Sequence, residues 1–149
     1  CVGRRKVMGA WPGSGGEAIH TSTFLGHPLS CAAGLAVLDA LEEEDVVRRS
    51  RALGDRLGGA PRSALEGVEG VAEVRGLGLL LGIELARGGE PMAGAGGRAA
   101  RFALGEGVLL LPAGEHGHVV ELTPGVDLTD AQIGCAVEVV SRSVRRVLA

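Results

Sequence analysis

Residues 20–34 read HTSTFLGHPLSCAAG. Three hydroxyls, those of Thr21, Ser22 and Thr23, stand shortly before Pro28. Proline suits the first turn of a helix, where its missing N–H costs nothing. A phosphate needs hydrogen-bond donors and favours the positive end of a helix, and hydroxyls followed by open backbone N–H groups supply both. The same residues also suit a plain helix cap or turn. On their chemistry alone, both readings stand.

Outward from this stretch, the sequence predicts one long helix from Pro28 to Gly58-Gly59, ahead of Pro61. Leu35, Leu38, Val46, Leu53 and Leu57 recur at helical spacing, with charges on the other faces. The acidic run at 42–45 precedes Arg48, Arg49 and Arg51, which suits a solvated face with ion pairs one turn apart. The opening turns are built from Ser30, Cys31, Ala32, Ala33, Gly34 and Ala36. Side chains this small let another backbone approach, so the first half is expected to be packed and the second half partly wet.

Beyond Pro61 the period changes. A helical turn is expected at 63–66, strands at 71–74 and 77–85, a loop at 87–97 and a short helix at 98–104. Further strands are expected at 108–111 and 119–122. Thr129 then caps a final amphipathic helix whose inner stripe is Ile133, Val137, Val140, Val144 and Val147. The pattern is that of a small α/β domain, a few strands covered by helices.

The chain is 46% hydrophobic, enough for a core, yet its aromatic residues are only Trp11, Phe24 and Phe102. The core must therefore be aliphatic. A net charge of −3 gives no reason to expect nucleic acid or an anionic membrane as partner. No apolar run is long enough to span a bilayer, and the opening CVGRR has no apolar stretch of the kind a secretory leader carries. Cys1, Cys31 and Cys135 are odd in number, widely spaced and without a CxxC pair. Neither a disulfide framework nor a zinc site is expected, and free thiols fit a reducing compartment, the cytoplasm.

The order of these features resembles the class III aminotransferases, a branch of the fold-type I enzymes that use pyridoxal 5′-phosphate (PLP). HTSTFLGHPLSCAAG is similar to the family loop that leads into a helix linking the large and small domains. CVGRRKVM resembles the strand after the family's lysine segment, VRGLGLLLGIEL its first small-domain hairpin, and GVLLLPAGEHGHVVELTPGVDLTDAQI its last strands and closing helix. The resemblance implies the end of a large domain at 1–30, a linking helix at 28–59 and a small domain with a short, mostly antiparallel sheet at 60–149. It implies that Thr23 binds the PLP phosphate of a partner subunit, that Ser22 can add a contact, and that the protein is a homodimer. Its substrates would be a small amine or ω-amino acid and a 2-oxo acid. An aminomutase or decarboxylating relative, and a truncated or purely interacting chain, are the alternatives.

Three departures from the family pattern bear on function. His27 stands where the family usually has Asn, and is read as a helix-cap histidine. Glu121, in VELTPG, stands where many members that act on amino acids carry an arginine for a carboxylate. Lys6 is the only lysine, at a position that corresponds to a surface site downstream of the family's Schiff-base lysine. No catalytic residue is therefore assigned within these 149 residues, and the chain, which opens on Cys1, is expected to be the carboxy-terminal part of a longer protein. Gly76, Gly78 and Gly82 sit in GLGLLLG, which is followed by a strand and not the helix that a dinucleotide loop requires. Arg75 is read as part of a structural turn. His116 and His118 are read as a hairpin tip and not as metal ligands.

Overall fold

The computed structural model describes residues 3–10, 13, 15–16 and 23–149. The chain divides into two compact units, Cys1–Ala40 and Leu41–Ala149.

In the first unit, Arg5–Met8 forms a single helical turn, α1, closed by Gly9 N–H donating to Arg5 O. The resemblance implied a strand here. A strand needs a neighbour to complete its ladder, whereas a helical turn completes its own bonds, and Arg5, Lys6 and Met8 are good helix formers. The helix α2 (Pro28–Glu43) begins at the expected proline. None of its residues is buried, its small-residue opening included. The expected burial of that half is thus not met by anything among the described residues; packing begins only in the next helix.

The long helix predicted over 28–59 is two helices. α2 ends at Glu43, and α3 runs over Val46–Ala64. Between them Asp45 adopts φ 48°, the only non-glycine residue with positive φ among those described. A short polar side chain tolerates this region better than most. The break also removes a run of carboxylates from the interior of one helix and leaves Asp45 as the N-cap of α3, where negative charge meets the positive end of the dipole. Asp45 pairs with Arg48, and Glu44 with Arg49 at 3.2 Å. At its other end α3 passes through Gly58, Gly59 and Pro61, where a stop was expected, and ends at Ala64. Leu53, Gly54, Leu57, Gly58 and Pro61 are all buried there. Tertiary packing outweighs the local cost of the proline.

The rest of the second unit is a sheet with helices on one face. β1 (Val71–Leu77) and β2 (Leu80–Arg87) form a hairpin in which Leu77 pairs with Leu80. Its turn is Gly78-Leu79, with Gly78 at φ 56°, and not Arg75-Gly76, which lies within β1. β3 (Glu90–Pro91) pairs with the end of β2. The helix α4 (Ala95–Gly105) starts a turn earlier than expected, within the stretch read as loop. The strand expected at 108–111 is displaced to β4 (Leu111–Ala113), while β5 (Val119–Leu122) lies as expected. The order is β1-β2-β5-β4, and every pairing is antiparallel.

Alternation sets the two faces of this sheet. Leu81, Ile83 and Leu85 of β2 and Val120 and Leu122 of β5 are buried. They pack with Leu53 and Leu57 of α3, Ala95, Ala99 and Ala103 of α4, and Ile133, Val140 and Val144 of α5 (Asp130–Leu148). The residues between them, Gly82, Glu84, Val119 and Glu121, share the opposite face. Thr129 caps α5 as expected. Gln132 completes a capping box, its Nα–H donating to Thr129 Oγ1 at 3.3 Å while its Oε1 accepts from Thr129 N–H at 2.8 Å. Arg56 reaches Asp130 at 2.5 Å, and Arg145 donates to Ala64 O at 2.7 Å, tying α3 to α5 at both ends. Among the described residues no helix is long and apolar enough to cross a membrane.

A β-carbon added at Gly54 would collide with the backbone carbonyl of Gly78, whereas one at Gly59, in the same helix, would meet nothing within 4 Å. Gly54→Ala is therefore expected to destabilise the chain by about 2 kcal/mol. Gly59→Ala is expected to stabilise it by about 0.5–1 kcal/mol. Urea denaturation of the two variants tests this directly; equal effects would contradict the close approach of α3 to the hairpin turn. In the same assay Thr129→Ala is expected to cost about 1 kcal/mol.

Candidate functional site

Thr23 opens a turn over residues 23–26 that leads into α2. Gly26, at φ 74°, lets the chain reverse, and His27 N–H donates to Phe24 O at 3.1 Å. His27 O then accepts from Cys31 N–H at 2.9 Å, the first bond of the helix. His27 is thus the N-cap residue by its backbone. Its ring sits edge-on to Phe24, centroids 6.1 Å apart, with Nδ1 3.5 Å from Ser30 Oγ. This is the structural role read from the sequence.

Thr23 is exposed, and its hydroxyl has no hydrogen bond among the described residues. The first turn of α2 carries no acidic side chain, so nothing there opposes an anion. An exposed hydroxyl beside an open helix N-terminus fits a phosphate-bearing group. Ser22 and Thr21 lie outside the described residues, as does Cys1. Lys6, on α1, is exposed and far in sequence from any of these groups. The exposed Thr23 hydroxyl and the first turn of α2 thus fit the phosphate end of PLP.

The second unit holds a separate group of charges on the open sheet face. Across three adjacent strands the register sets Arg75 opposite Gly82, and Gly82 opposite Glu121. One row along, Glu73 lies opposite Glu84, and Glu84 opposite Val119. Arg75 Nη1 donates to Glu73 Oε2 at 3.0 Å and also to Glu84. These bonds, that to Glu84 first, push the Arg75 pKa further up. Arg75 is therefore a structural cation on a strand and not part of a turn. His118 is only 8% exposed, and its Nε2 lies 3.7 Å from Glu84 Oε1. The tip of the β4–β5 connection is Glu115–Gly117, so His116 belongs to the expected hairpin tip and His118 to its base, inside the fold. Among the described residues no group of three or more His, Cys, Asp or Glu is placed to hold a metal ion. Gly76, Gly78 and Gly82 belong to the β1–β2 hairpin, which has no helix after it and cradles no dinucleotide.

Glu121 differs from its neighbours. Its side chain has no hydrogen bond or ion pair among the described residues, and it lines a cavity of about 420 Å³ on this face. An apolar cavity of about 390 Å³, walled by Leu57, Leu109, Leu122, Leu128 and Cys135, lies beside α5 and also reaches Glu121. Sequence reasoning singled out Glu121 but missed Glu84 and the Arg75 clamp, because their partnership depends on strand register, which composition does not show.

The class-III aminotransferase family model matches residues 1–144. The chain is 48% identical over 83 residues to acetylornithine aminotransferase 1 of Bordetella bronchiseptica, covering 54% of this chain and 21% of that protein. It is 36% identical over 136 residues to 5-aminovalerate aminotransferase DavT of Pseudomonas aeruginosa, covering 89% of this chain and 31% of that protein. It also superposes, at 32% identity and a TM-score of 0.76, on an amine transaminase from an uncultivated Pseudomonas species, solved in its PLP-bound form. That match covers 87% of this chain and 30% of the other. The chain spans between a fifth and a third of the length of these relatives. With the family pattern running through almost every residue, and the small antiparallel domain folded as that pattern requires, the chain belongs to the class-III aminotransferases.

Proposed function

We propose that this chain is part of a PLP-dependent aminotransferase that moves an amino group between an amine or ω-amino acid and a 2-oxo acid. The observation that carries the reading is the exposed Thr23 hydroxyl, without a hydrogen bond among the described residues, in the turn before α2 of a chain matched by the family over residues 1–144. PLP, when bound, supplies the carbonyl that takes up the amino group and the conjugated ring that accepts the electron pair released at the substrate's α-carbon. The chain's own part is binding and enclosure. Thr23 Oγ1 donates to the phosphate, and Ser22 adds a second donor. The open N–H groups of the first turn of α2 favour the same anion. By the family resemblance, residues 1–30 belong to the large domain, 28–59 to the connection and 60–149 to the small domain.

The phosphate contact is made across a homodimer in the cytoplasm. The dimeric contact is what the family resemblance implies, and the free, exposed Cys31 and Cys135 fit a reducing compartment. The named relatives are aminotransferases, which favours amino transfer over the rearranging or decarboxylating alternatives.

In the full-length dimer, Thr23→Ala is expected to weaken PLP retention about tenfold, the loss of one charge-assisted hydrogen bond. Dialysis titration measures it, with sedimentation to show that the dimer persists. Unchanged cofactor affinity would remove Thr23 from the site. The wild-type protein, with PLP bound, is expected to convert a 2-oxo acid to its amino acid at the expense of an added amine; no transfer from any donor would overturn the aminotransferase reading.

A further inference from the structure

Charge is spread unevenly over the helices of the second unit. The chain has 15 lysines and arginines against 18 aspartates and glutamates. Yet α4 holds Arg98 and Arg101 and no carboxylate, and α5 over residues 139–148 holds Arg142, Arg145 and Arg146 and no carboxylate. The two helices share one core, Ala99 and Ala103 packing with Val140 and Val144. Two contacts order the side chains along the furrow between them. Glu106, just past the end of α4, pairs with Arg142, and one turn earlier Phe102 lies under the guanidinium of Arg146, 4.2 Å from its ring centroid.

Three of these arginines have structural partners. Arg142 is held by Glu106, Arg145 donates to Ala64 O and Arg98 to Ala93 O at 3.3 Å. The other two keep their donors. Arg101 is exposed, with no hydrogen bond or ion pair among the described residues. It lies on the side of α4 opposite the buried Ala95, Ala99 and Ala103. It is also outside the last turn of that helix, so it gains nothing from the dipole. Arg146 rests on the face of Phe102, which orders the guanidinium without using its N–H groups. That planar fork is the geometry that takes a carboxylate through two parallel bonds. Leu104, three residues on from Arg101, is 59% exposed and sets an apolar side chain beside the charges.

We propose that the α4–α5 furrow is a docking surface for an acidic segment of a partner protein, with carboxylates on Arg101 and Arg146 and an apolar residue against Phe102 and Leu104. Ordered arginine and aromatic side chains on rigid, packed helices are what protein interfaces favour, because little freedom is lost on binding. The charge balance selects a short acidic segment over a larger polyanion. The field of the arginines is screened within about 8 Å at physiological salt. A peptide fits inside that range, whereas a nucleic acid or an anionic membrane would extend over the rest of a chain whose net charge is −3. The contact is independent of the proposed amino transfer.

The test uses the full-length protein and a fluorescein-labelled peptide of glutamates around a central leucine, with the matching glutamine peptide as control. Fluorescence anisotropy is expected to rise saturably with the glutamate peptide only, and the affinity to fall as salt is added. Arg101→Ala, at a fully solvated position, is expected to weaken binding about two- to fivefold, the range of one exposed ion pair. Arg146→Lys, which keeps the charge and loses the fork, is expected to weaken it by a similar factor. The double variant Arg101→Glu, Arg146→Glu is expected to lose about tenfold or more, since like charges then meet. Arg51→Ala, at an exposed arginine of α3, is expected to leave binding unchanged. No saturable binding of the glutamate peptide at low salt, or a loss in Arg51→Ala equal to that in Arg101→Ala, would overturn the proposal. So would tighter binding of single-stranded RNA or of phosphatidylserine vesicles through the same arginines.

Discussion

The pairing of β2 with β5 is the constraint on which the second unit depends. It sets Ile83 opposite Val120 and Leu81 opposite Leu122, which puts a continuous aliphatic layer on one face. The same register places Gly82 beside Glu121 on the other face. A slip of one residue would exchange the two sets, exposing the aliphatic layer and burying unpaired carboxylates. The core and the chemistry of the open face are thus fixed by one choice. Three helices take up the apolar side, and their close approach requires small residues: Gly54 against the hairpin turn, and Ala95, Ala99 and Ala103 where α4 lies on the sheet. An aliphatic core with so few aromatics is achieved by that closeness.

What the sequence made legible follows the range of the forces involved. Thr129 was readable as a cap because a cap is a matter of three or four residues, and β5 because three apolar residues around one glutamate, between turn-forming stretches, have few alternatives. The break at Asp45 was not readable from the hydrophobic spacing, which continues across it; the acidic run was the signal, since a helix interior is a poor place for consecutive carboxylates. The passage of α3 through Gly58, Gly59 and Pro61 ran against every local rule. It is held by contacts from distant residues, among them Leu81 against Gly58 and the Arg145 bond to Ala64 O. Likewise, the hairpin turn falls at Gly78-Leu79 because α3 meets it there, at a point invisible to local composition.

The two candidate regions differed in the same way. Thr23 and the proline-led helix were visible as a local pattern, and the turn between them forms as expected. Glu121 was visible as a departure from a family pattern, but its consequence was not. Only the register shows that Arg75 lies two strands away, held by Glu73 and Glu84. Under the proposed function the first unit offers the phosphate contact, the second carries a sheet face of unequally paired charges, and the group that must react with the cofactor's carbonyl is supplied by neither.

That last point is open to a single direct measurement. The full-length protein, loaded with PLP and reduced with borohydride, can be digested and its pyridoxyl-modified lysine mapped by mass spectrometry. The modified peptide is expected to lie outside these 149 residues, with Lys6 unlabelled. Stoichiometric label on Lys6 would contradict the assignment of this chain to the binding half of the enzyme.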